Sequence, residues 1–296
     1  MSKYTFKQFQ AEYPDDAACL AQIMKVQFGG TEFTCPACGV EKAKFHAMTK
    51  RRAYACQECG HHIYPCAGTI FEKSRTNLTK WFFAMYLMTS TRHGVAAKEL
   101  ERQLGVTYKC AWRMAHELRK LMATADDNSG PLSGHVEIDE TRIGGKISRK
   151  DWREKGDNKT VVMGIVERNG RLRAGPLDYA TQHEVEPIVL HHVERGSIVS
   201  TDESRLYNNI AKAPYEHGVV NHSAEEYVRG IHHTNTIEGH WSQLKRSIRG
   251  THVHVSAKHL WKYVSEFSYR RNFRHSHEGM FNRLVAAFSL PRLAES

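Results

Sequence analysis

The sequence lacks any long apolar run. A membrane-spanning helix needs roughly 18 consecutive apolar residues, whereas the most apolar stretch, residues 81–88, is long enough only for a buried helical segment. The first residues also lack the apolar centre of a signal peptide. We therefore expect no membrane contact, and we expect a cytoplasmic protein associated with the nucleoid.

Acidic residues are outnumbered by basic ones. The 296 residues include 42 Lys and Arg but only 32 Asp and Glu, which gives a formal net charge of +10, and there are 19 His besides. A balance of this sign favours a polyanionic partner such as nucleic acid, although a merely soluble basic protein is the other interpretation. The composition is typical of a globular protein, and the length predicts two or three domains.

Four of the seven cysteines have the spacing of metal ligands, and the cysteines do not suggest a disulfide framework. Two CxxC pairs, each followed by a glycine, are separated by about 17 residues: Cys35, Cys38 and Gly39, then Cys56, Cys59 and Gly60. Four thiolates at this spacing are typical of a zinc ribbon, and the glycines let each turn direct both thiolates at one ion. A redox role is disfavoured because neither pair opens a helix after a strand. We predict one structural Zn²⁺.

A helix, a short turn and a second helix follow the ribbon. The helical patterns cover residues 95–104 and 108–121, with Gly105 in the turn and Thr107 as the N-cap of the second helix. This order predicts a helix-turn-helix, whose second helix enters the major groove of DNA. The candidate contacts are Tyr108, Lys109 and Arg113, and Arg119 and Lys120 add to the charge of that helix. A helical hairpin with no DNA role is the alternative.

Strand patterns begin after a polar, turn-rich linker. We predict strands at 136–139, 161–167, 171–179, 198–201 and 216–222, and helices at 184–193, 206–211 and 232–255. A mixed sheet with helices on its faces fits this order. Since side chains alternate along a strand, Asp139 shares a face with Glu137, and Glu140 points the other way.

Three acids in this region are candidates for metal-assisted phosphoryl transfer. Asp139 and Asp202 end two apolar strands, and Glu238 follows about 35 residues later on the last helix. Mg²⁺ prefers carboxylate oxygens, and a two-ion site holds its ions roughly 3.5–4 Å apart. We assign Asp139 as the bridging ligand, with Asp202 and Glu238 each holding one Mg²⁺ or Mn²⁺. Asn235, on the same helix face as Glu238, is the alternative third ligand.

The helix that carries Glu238 is also basic. Lys245 lies two helical turns after Glu238, so it is a candidate phosphate contact, and Arg249 extends that face. Trp241, one turn after Glu238, would stack on a displaced base or pack in the core.

Taken together, these motifs resemble the DDE transposases of bacterial insertion sequences, in the ISXO2-like subgroup with an N-terminal zinc ribbon. The matching stretches are CPACG, CQECG, AGTIFEKSRTNLTKWF, VEIDETRIGGK, STDESRLY, NTIEGHWSQLKRSIRGTHVHVS and EFSYRRNFR. The resemblance covers roughly residues 15–285. It implies an RNase H-like catalytic fold, Mg²⁺ dependence, recognition of terminal inverted repeats and a multimeric complex with DNA. Some members of the family carry Asn for the third acid.

We therefore expect an α+β multidomain protein. Its expected parts are a helical lead-in (1–30), a zinc ribbon (31–72), a helix-turn-helix region (73–125), a linker (126–134), an RNase H-like mixed α/β domain (135–285) and a C-terminal tail (286–296). The expected function is a transposase that binds double-stranded terminal repeats and target DNA as a homodimer or larger oligomer. A catalytically inert DNA-binding regulator and a metal-dependent nuclease without a joining step are the alternatives.

Overall fold

The structure is a computed structural model that describes residues 4–127, 130–145, 159–275 and 277–290. The chain divides into two compact units. The first combines Met1–Ala125 with Phe273–Ser296, and the second is Asp126–Asn272. The sequence also predicts a basic loop at 146–159, of which residues 146–158 lie outside the described residues.

The first unit contains helices and a small antiparallel sheet. Its described helices are α1 (Phe6–Glu12), α2 (Asp16–Phe28), α3 (Leu78–Ser90), α4 (Ala97–Leu104), α5 (Tyr108–Asp127, whose last two residues fall in the second unit) and the C-terminal helix α9 (His277–Ala286). Its strands, in spatial order, are β1 (Glu32–Phe33), β2 (Ala43–Ala47), β3 (Tyr54–Cys56) and β4 (His62–Ile63). Helix α2 begins where the Asp15 side chain accepts a hydrogen bond from the amide of Ala18, which makes Asp15 its N-cap.

The C-terminal segment packs within the first unit, which corrects two of the predicted boundaries. The Phe281 ring stacks on Tyr4 at 5.4 Å, and the Phe288 ring meets Phe71 edge-on at 4.9 Å. Residues 273–285 therefore do not belong to the predicted catalytic domain, and the predicted tail begins with a buried short helix, Ala287–Ser289. The C-terminal segment joins the first unit because its large aromatic side chains are buried there. The pattern of apolar residues within one segment does not show which unit will bury them.

The predicted linker is also wrong in part. Helix α5 continues to Asp127, and the carboxylate of Asp126 accepts a 2.9 Å hydrogen bond from Nδ2 of Asn272. Leu132 is fully buried, and its amide donates a 2.7 Å hydrogen bond to the carbonyl of His192. Asp126 and Leu132 are therefore packed into the second unit.

The second unit is a five-stranded mixed sheet with helices on both faces. Its strands are β5 (His135–Ile143), β6 (Thr160–Glu167), β7 (Leu172–Pro176), β8 (Ile198–Thr201) and β9 (Glu216–Val219), in the spatial order β7-β6-β5-β8-β9. Strands β5, β8 and β9 run parallel, and β5, β6 and β7 pair antiparallel. The five predicted strands are confirmed, with shifted ends.

The sheet of this unit separates its core into two layers, each covered by helices. Helix α6 (Gln182–His192) packs on the sheet face that carries Val136 and Ile138. Helices α7 (Asn235–Ser247) and α8 (Ala257–Asn272) pack on the opposite face. The predicted helix at 206–211 is two short 3-10 helices, Arg205–Tyr207 and Ile210–Lys212.

Helix α7 is shorter than the 232–255 that the sequence predicts. It begins at Asn235 because the buried carboxylate of Glu137 accepts hydrogen bonds from the amides of Thr236 and Ile237, at 2.9 and 3.1 Å. A π-helical turn, Ile248–His252, ends it. The chain then reverses at Val253, whose φ of 64° and flanking 2.7 Å His254-to-His252 hydrogen bond define a γ-turn. Within the described ranges, none of the helices has both the length and the apolar character that a bilayer crossing requires.

Candidate active site and zinc site

Two predicted acids meet at the centre of the large sheet. The parallel register of β5 and β8 pairs Glu137 with Ser200, and the same register continues to Asp139 and Asp202 just beyond the last paired residues. Strand β8 ends at Thr201, so both carboxylates lie where the sheet opens between these strands. Adjacent parallel strands thus bring together two aspartates that are distant in sequence.

A third carboxylate in this cluster is one that the sequence analysis did not select. The side chain of Glu140 leaves the backbone on the α6 side of the sheet, as alternation predicts. There its carboxylate accepts hydrogen bonds from the hydroxyls of Tyr207 and Ser204. Even so, one oxygen from each of Asp139, Glu140 and Asp202 lies within 4.8 Å of the others. The end of β8 removes the strand that would otherwise separate them.

The electrostatics of this cluster suit a divalent cation. Burial, with the nearby charges of Glu140 and Asp202, raises the pKa of Asp139 to about 7. Burial also raises the pKa of Asp202. Repelling carboxylates in a poorly solvated place are stabilised by a bound cation, and carboxylate oxygens are the ligands that Mg²⁺ and Mn²⁺ prefer. The residues therefore fit a divalent metal.

Trp241 belongs to the core, beside the cluster. Its side chain is buried, and its indole Nε1 donates a 2.9 Å hydrogen bond to Oδ2 of Asp139. Gly164 faces Asp139 across the β5–β6 pair, and a Cβ there would lie 2.5 Å from Cη2 of Trp241. The absence of a side chain at Gly164 leaves room for the indole, so the core-packing interpretation of Trp241 holds.

Glu238 and Asn235, the predicted third ligand and its alternative, lie in the first turn of α7. The Glu238 carboxylate accepts a 3.0 Å hydrogen bond from the hydroxyl of Thr234 and lies 3.7 Å from Nε2 of His222. Its side chain is 48% exposed. Among the described residues, the close carboxylate cluster contains neither Glu238 nor Asn235.

A buried ion pair fixes the start of α7. The side chain of Glu137 is fully buried and accepts a 2.8 Å hydrogen bond from Nε of Arg168. Arg168 also donates to Nδ1 of His135 and to the carbonyls of Ile231 and His233. An anion at a helix N-terminus is favoured by the helix dipole. Alternation along the strand predicts that Glu137 shares a face with Asp139, but no local pattern identifies the partner of Glu137.

The two predicted phosphate contacts line a small cleft at the other end of α7. Lys245 and Arg249 border a space of about 60 Å³ beside the backbone of Gly144 and Gly145 and the ring of His254. Neither cation forms an ion pair with any residue in the described part of the chain. Basic side chains, an imidazole and glycine backbone together suit an anionic group.

The four predicted zinc ligands come together in the first unit. The sulfurs of Cys35, Cys38, Cys56 and Cys59 all lie within 4.8 Å of one another. The two turns are alike, because the amides of Gly39 and Gly60 each donate a 2.9 Å hydrogen bond to the carbonyl of the first cysteine of the pair. Both glycines have a φ above 70°, which favours glycine. The amides of Cys38 and Ala37 lower the pKa of the Cys35 thiol to about 6. This set fits tetrahedral Zn²⁺.

Helices α4 and α5 are joined by a turn in the predicted order. Gly105 ends α4 with a φ of 58°, and the Thr107 hydroxyl accepts a 3.4 Å hydrogen bond from the amide of Cys110. Tyr108, Lys109 and Arg113 are exposed on α5. Two cations counted in the sequence analysis are not free on this surface: Arg119 is buried, and Lys120 lies 2.8 Å from Glu117.

The sequence of both units matches known families. A family model for the ISXO2-like transposase domain matches residues 131–272, and one for the transposase zinc-ribbon domain matches residues 14–62. A curated relative from Halobacterium salinarum, described as an uncharacterized protein in transposable element ISH50, is 28% identical over 254 residues, which is 80% of this chain and 84% of that protein. The matched ranges contain the acidic cluster and the four cysteines. The chain belongs to the ISXO2-like transposases of insertion sequences, in the group that carries a zinc ribbon.

Proposed function

We propose that this protein is an active transposase, which cuts the ends of its own insertion sequence and joins them to target DNA. The observation that carries this proposal is the meeting of the Asp139 and Asp202 carboxylates at the open end of adjacent parallel strands. An RNase H-like catalytic fold is the interpretation of the sheet that suits this chemistry.

The site residues have separate roles in this proposal. Asp139 and Asp202 would hold two Mg²⁺ or Mn²⁺ ions, with Asp139 as the shared ligand and Asp202 as the ligand of one ion. The bound ions would supply activation of the attacking oxygen and stabilisation of the leaving 3′-oxygen. Lys245 and Arg249 bind a backbone phosphate in their cleft. Trp241 orients Asp139, and the Glu137–Arg168 pair holds α7 in place.

Three residues are candidates for the third metal ligand. The sequence predicts Glu238, with Asn235 as the alternative, whereas the observed carboxylate distances favour Glu140. Three variants of the full chain, Glu238→Gln, Asn235→Ala and Glu140→Gln, separate these assignments by calorimetric titration with Mn²⁺. The true ligand loses Mn²⁺ affinity most, and this measurement does not depend on activity.

End recognition is assigned to the first unit. We propose that Tyr108, Lys109 and Arg113 on α5 contact the terminal inverted repeats, that the zinc ribbon supports this binding, and that two or more copies bring the ends together. Arg113→Ala is expected to weaken end binding in a mobility-shift assay, and Lys212→Ala, an exposed lysine in the second unit, is expected to leave it unchanged.

The decisive experiment is incubation of the full chain with labelled element ends, target DNA and Mg²⁺, resolved on a denaturing gel. Asp139→Asn and Asp202→Asn are expected to abolish cleavage and strand transfer and to retain end binding, whereas the exposed Asp178→Asn retains all three. Joining by Asp139→Asn would refute the assignment. Binding without Mg²⁺-dependent nicking would identify an inert regulator, and nicking without joined product would identify a nuclease.

A further inference from the structure

An exposed apolar turn lies between β9 and α7. We name residues 227–231 the apolar turn. Three of its side chains are about half exposed: Tyr227 (57%), Val228 (53%) and Ile231 (51%). Three large apolar side chains exposed within five consecutive residues form a patch that water solvates poorly, which is typical of an interaction site.

The apolar turn is held rigidly. Arg229 and His232 exchange backbone hydrogen bonds of 2.9 and 3.0 Å around Gly230, which has a φ of 61°. Arg168, already paired with Glu137, donates a 2.7 Å hydrogen bond to the carbonyl of Ile231. The His232 ring packs against Gly218 and bonds to Ser200 at 2.9 Å. The exposed side chains therefore project from a fixed backbone.

The apolar turn also lies next to the candidate active site. The Tyr227 ring meets the ring of His222 edge-on, with centroids 5.3 Å apart. Nε2 of His222 lies 3.7 Å from Glu238, and its amide donates a 2.9 Å hydrogen bond to Glu203, the residue after Asp202. His222 thus lies between Tyr227 and both Glu238, the predicted third ligand, and the residue that follows Asp202.

The charges around the apolar turn favour contact with bases over contact with phosphates. Glu225 and Glu226 precede it and would repel a DNA backbone, and its single cation is Arg229. Apolar and aromatic side chains beside a DNA-processing site can unstack a base step, and an aromatic ring can stack on an unpaired base.

We propose that the apolar turn opens the DNA end beside the cleavage position, with Tyr227 stacked on a base that has left its pair. This inference rests on the proposed function, because it takes the scissile DNA to lie at the acidic cluster. Opening the end would give the strand to be cut the freedom to reach the carboxylates. Tyr227 is accordingly a positioning residue for the nucleic acid, and it takes no part in proton or metal chemistry.

The test uses full-length protein and element ends with 2-aminopurine in the terminal base pairs. Wild-type protein is expected to raise the 2-aminopurine fluorescence on binding in Ca²⁺. Tyr227→Ala loses this rise and cuts paired ends about tenfold more slowly, as expected for loss of one stacking contact. It cuts ends with mismatched terminal pairs at the wild-type rate. Tyr227→Trp keeps the rise, and Tyr179→Ala, an exposed tyrosine elsewhere in this unit, behaves as wild type.

Four results would overturn the inference. They are no fluorescence rise with wild-type protein, a normal rise with Tyr227→Ala, slow cutting of paired and mismatched ends alike by Tyr227→Ala, and a loss of oligomers in Tyr227→Ala by sedimentation, which would make the apolar turn an interface between copies. Failure of the proposed function is distinguishable, because wild-type protein would then cut neither substrate in Mg²⁺ while the fluorescence assay still reports opening.

Discussion

The indole Nε1 of Trp241 donates a hydrogen bond of 2.9 Å to Oδ2 of Asp139. This contact links the helix α7 to the central strand β5 at the acid on which the candidate site depends. It favours the ionised carboxylate, so it opposes the burial that raises the pKa of Asp139. A core tryptophan therefore acts on the charge of a candidate metal ligand.

Trp241→Phe is expected to weaken binding of divalent metal ions. Without the indole donor the pKa of Asp139 rises further, and a protonated carboxyl is a poor ligand. Loss of a group that orients a metal ligand costs about tenfold in affinity, which calorimetry with Mn²⁺ at neutral pH measures. Trp261→Phe, in α8, is the matched control. An unchanged affinity in Trp241→Phe would show that the hydrogen bond does not support the site.

Gly164→Ala is expected to destabilise the second unit. The added methyl group would overlap the Trp241 ring, and Cδ1 of Ile237 lies 3.0 Å away. Overpacking of a buried site costs about 1–3 kcal/mol, seen as a lower urea midpoint of the full chain. The control variant is Gly175→Ala. Gly175 lies on the neighbouring strand β7, where an added Cβ would meet no atom within 4 Å, so the midpoint of this variant should stay close to that of the wild type. Equal midpoints for the two variants would mean that the indole moves freely away from Gly164.

His135 is expected to make the protein less stable in mild acid. Burial, with the adjacent charge of Arg168, lowers the pKa of His135 from 6.5 to about 4. Below pH 6.5 the unfolded chain therefore binds a proton that the folded chain does not, and stability falls as the pH falls from about 6.5 to 4. His135→Gln should flatten that part of a plot of unfolding midpoint against pH. The control His183→Gln, at an exposed histidine, should retain the wild-type dependence of the midpoint on pH. Equal slopes for all three proteins would show that His135 does not cause the loss of stability in acid.

Cys56→Ser is expected to release the zinc. Three thiolates and a hydroxyl bind Zn²⁺ much more weakly than four thiolates, and a sheet this small depends on its metal. Elemental analysis should give one Zn²⁺ per chain for the wild type and a clear loss for Cys56→Ser. Cys110→Ser, outside the cluster, should retain the ion. A full zinc content in Cys56→Ser would place the metal elsewhere.

Local patterns were sufficient for the zinc site and for two of the acids. A CxxC turn followed by glycine encodes its geometry within five residues, so the four sulfurs were predictable without knowledge of the fold. Asp139 and Asp202 were predictable because each follows a short apolar run. Strand β5 nevertheless continues past Asp139 to Ile143, so only Asp202 lies beyond the end of its strand.

Local patterns could not predict the contacts made by Glu140, Trp241 and Glu137. Alternation correctly places Glu140 on the other face from Asp139, but it does not reveal that β8 stops at Thr201 and lets the carboxylates meet. The Trp241 contact depends on the gap left by Gly164 on a neighbouring strand, and the role of Glu137 depends on a helix that begins about 100 residues later.

The amino-acid sequence by itself determined the residue types and their spacing: four cysteines at zinc spacing, two aspartates that follow apolar runs, a basic helix around Lys245 and an excess of positive charge. Only the tertiary structure decided which carboxylates share a space, which tryptophan supports them, and which unit the C-terminal helix joins. Residue types and their spacing are properties of short segments, whereas distances between side chains depend on strand pairing and helix packing between segments far apart in the chain.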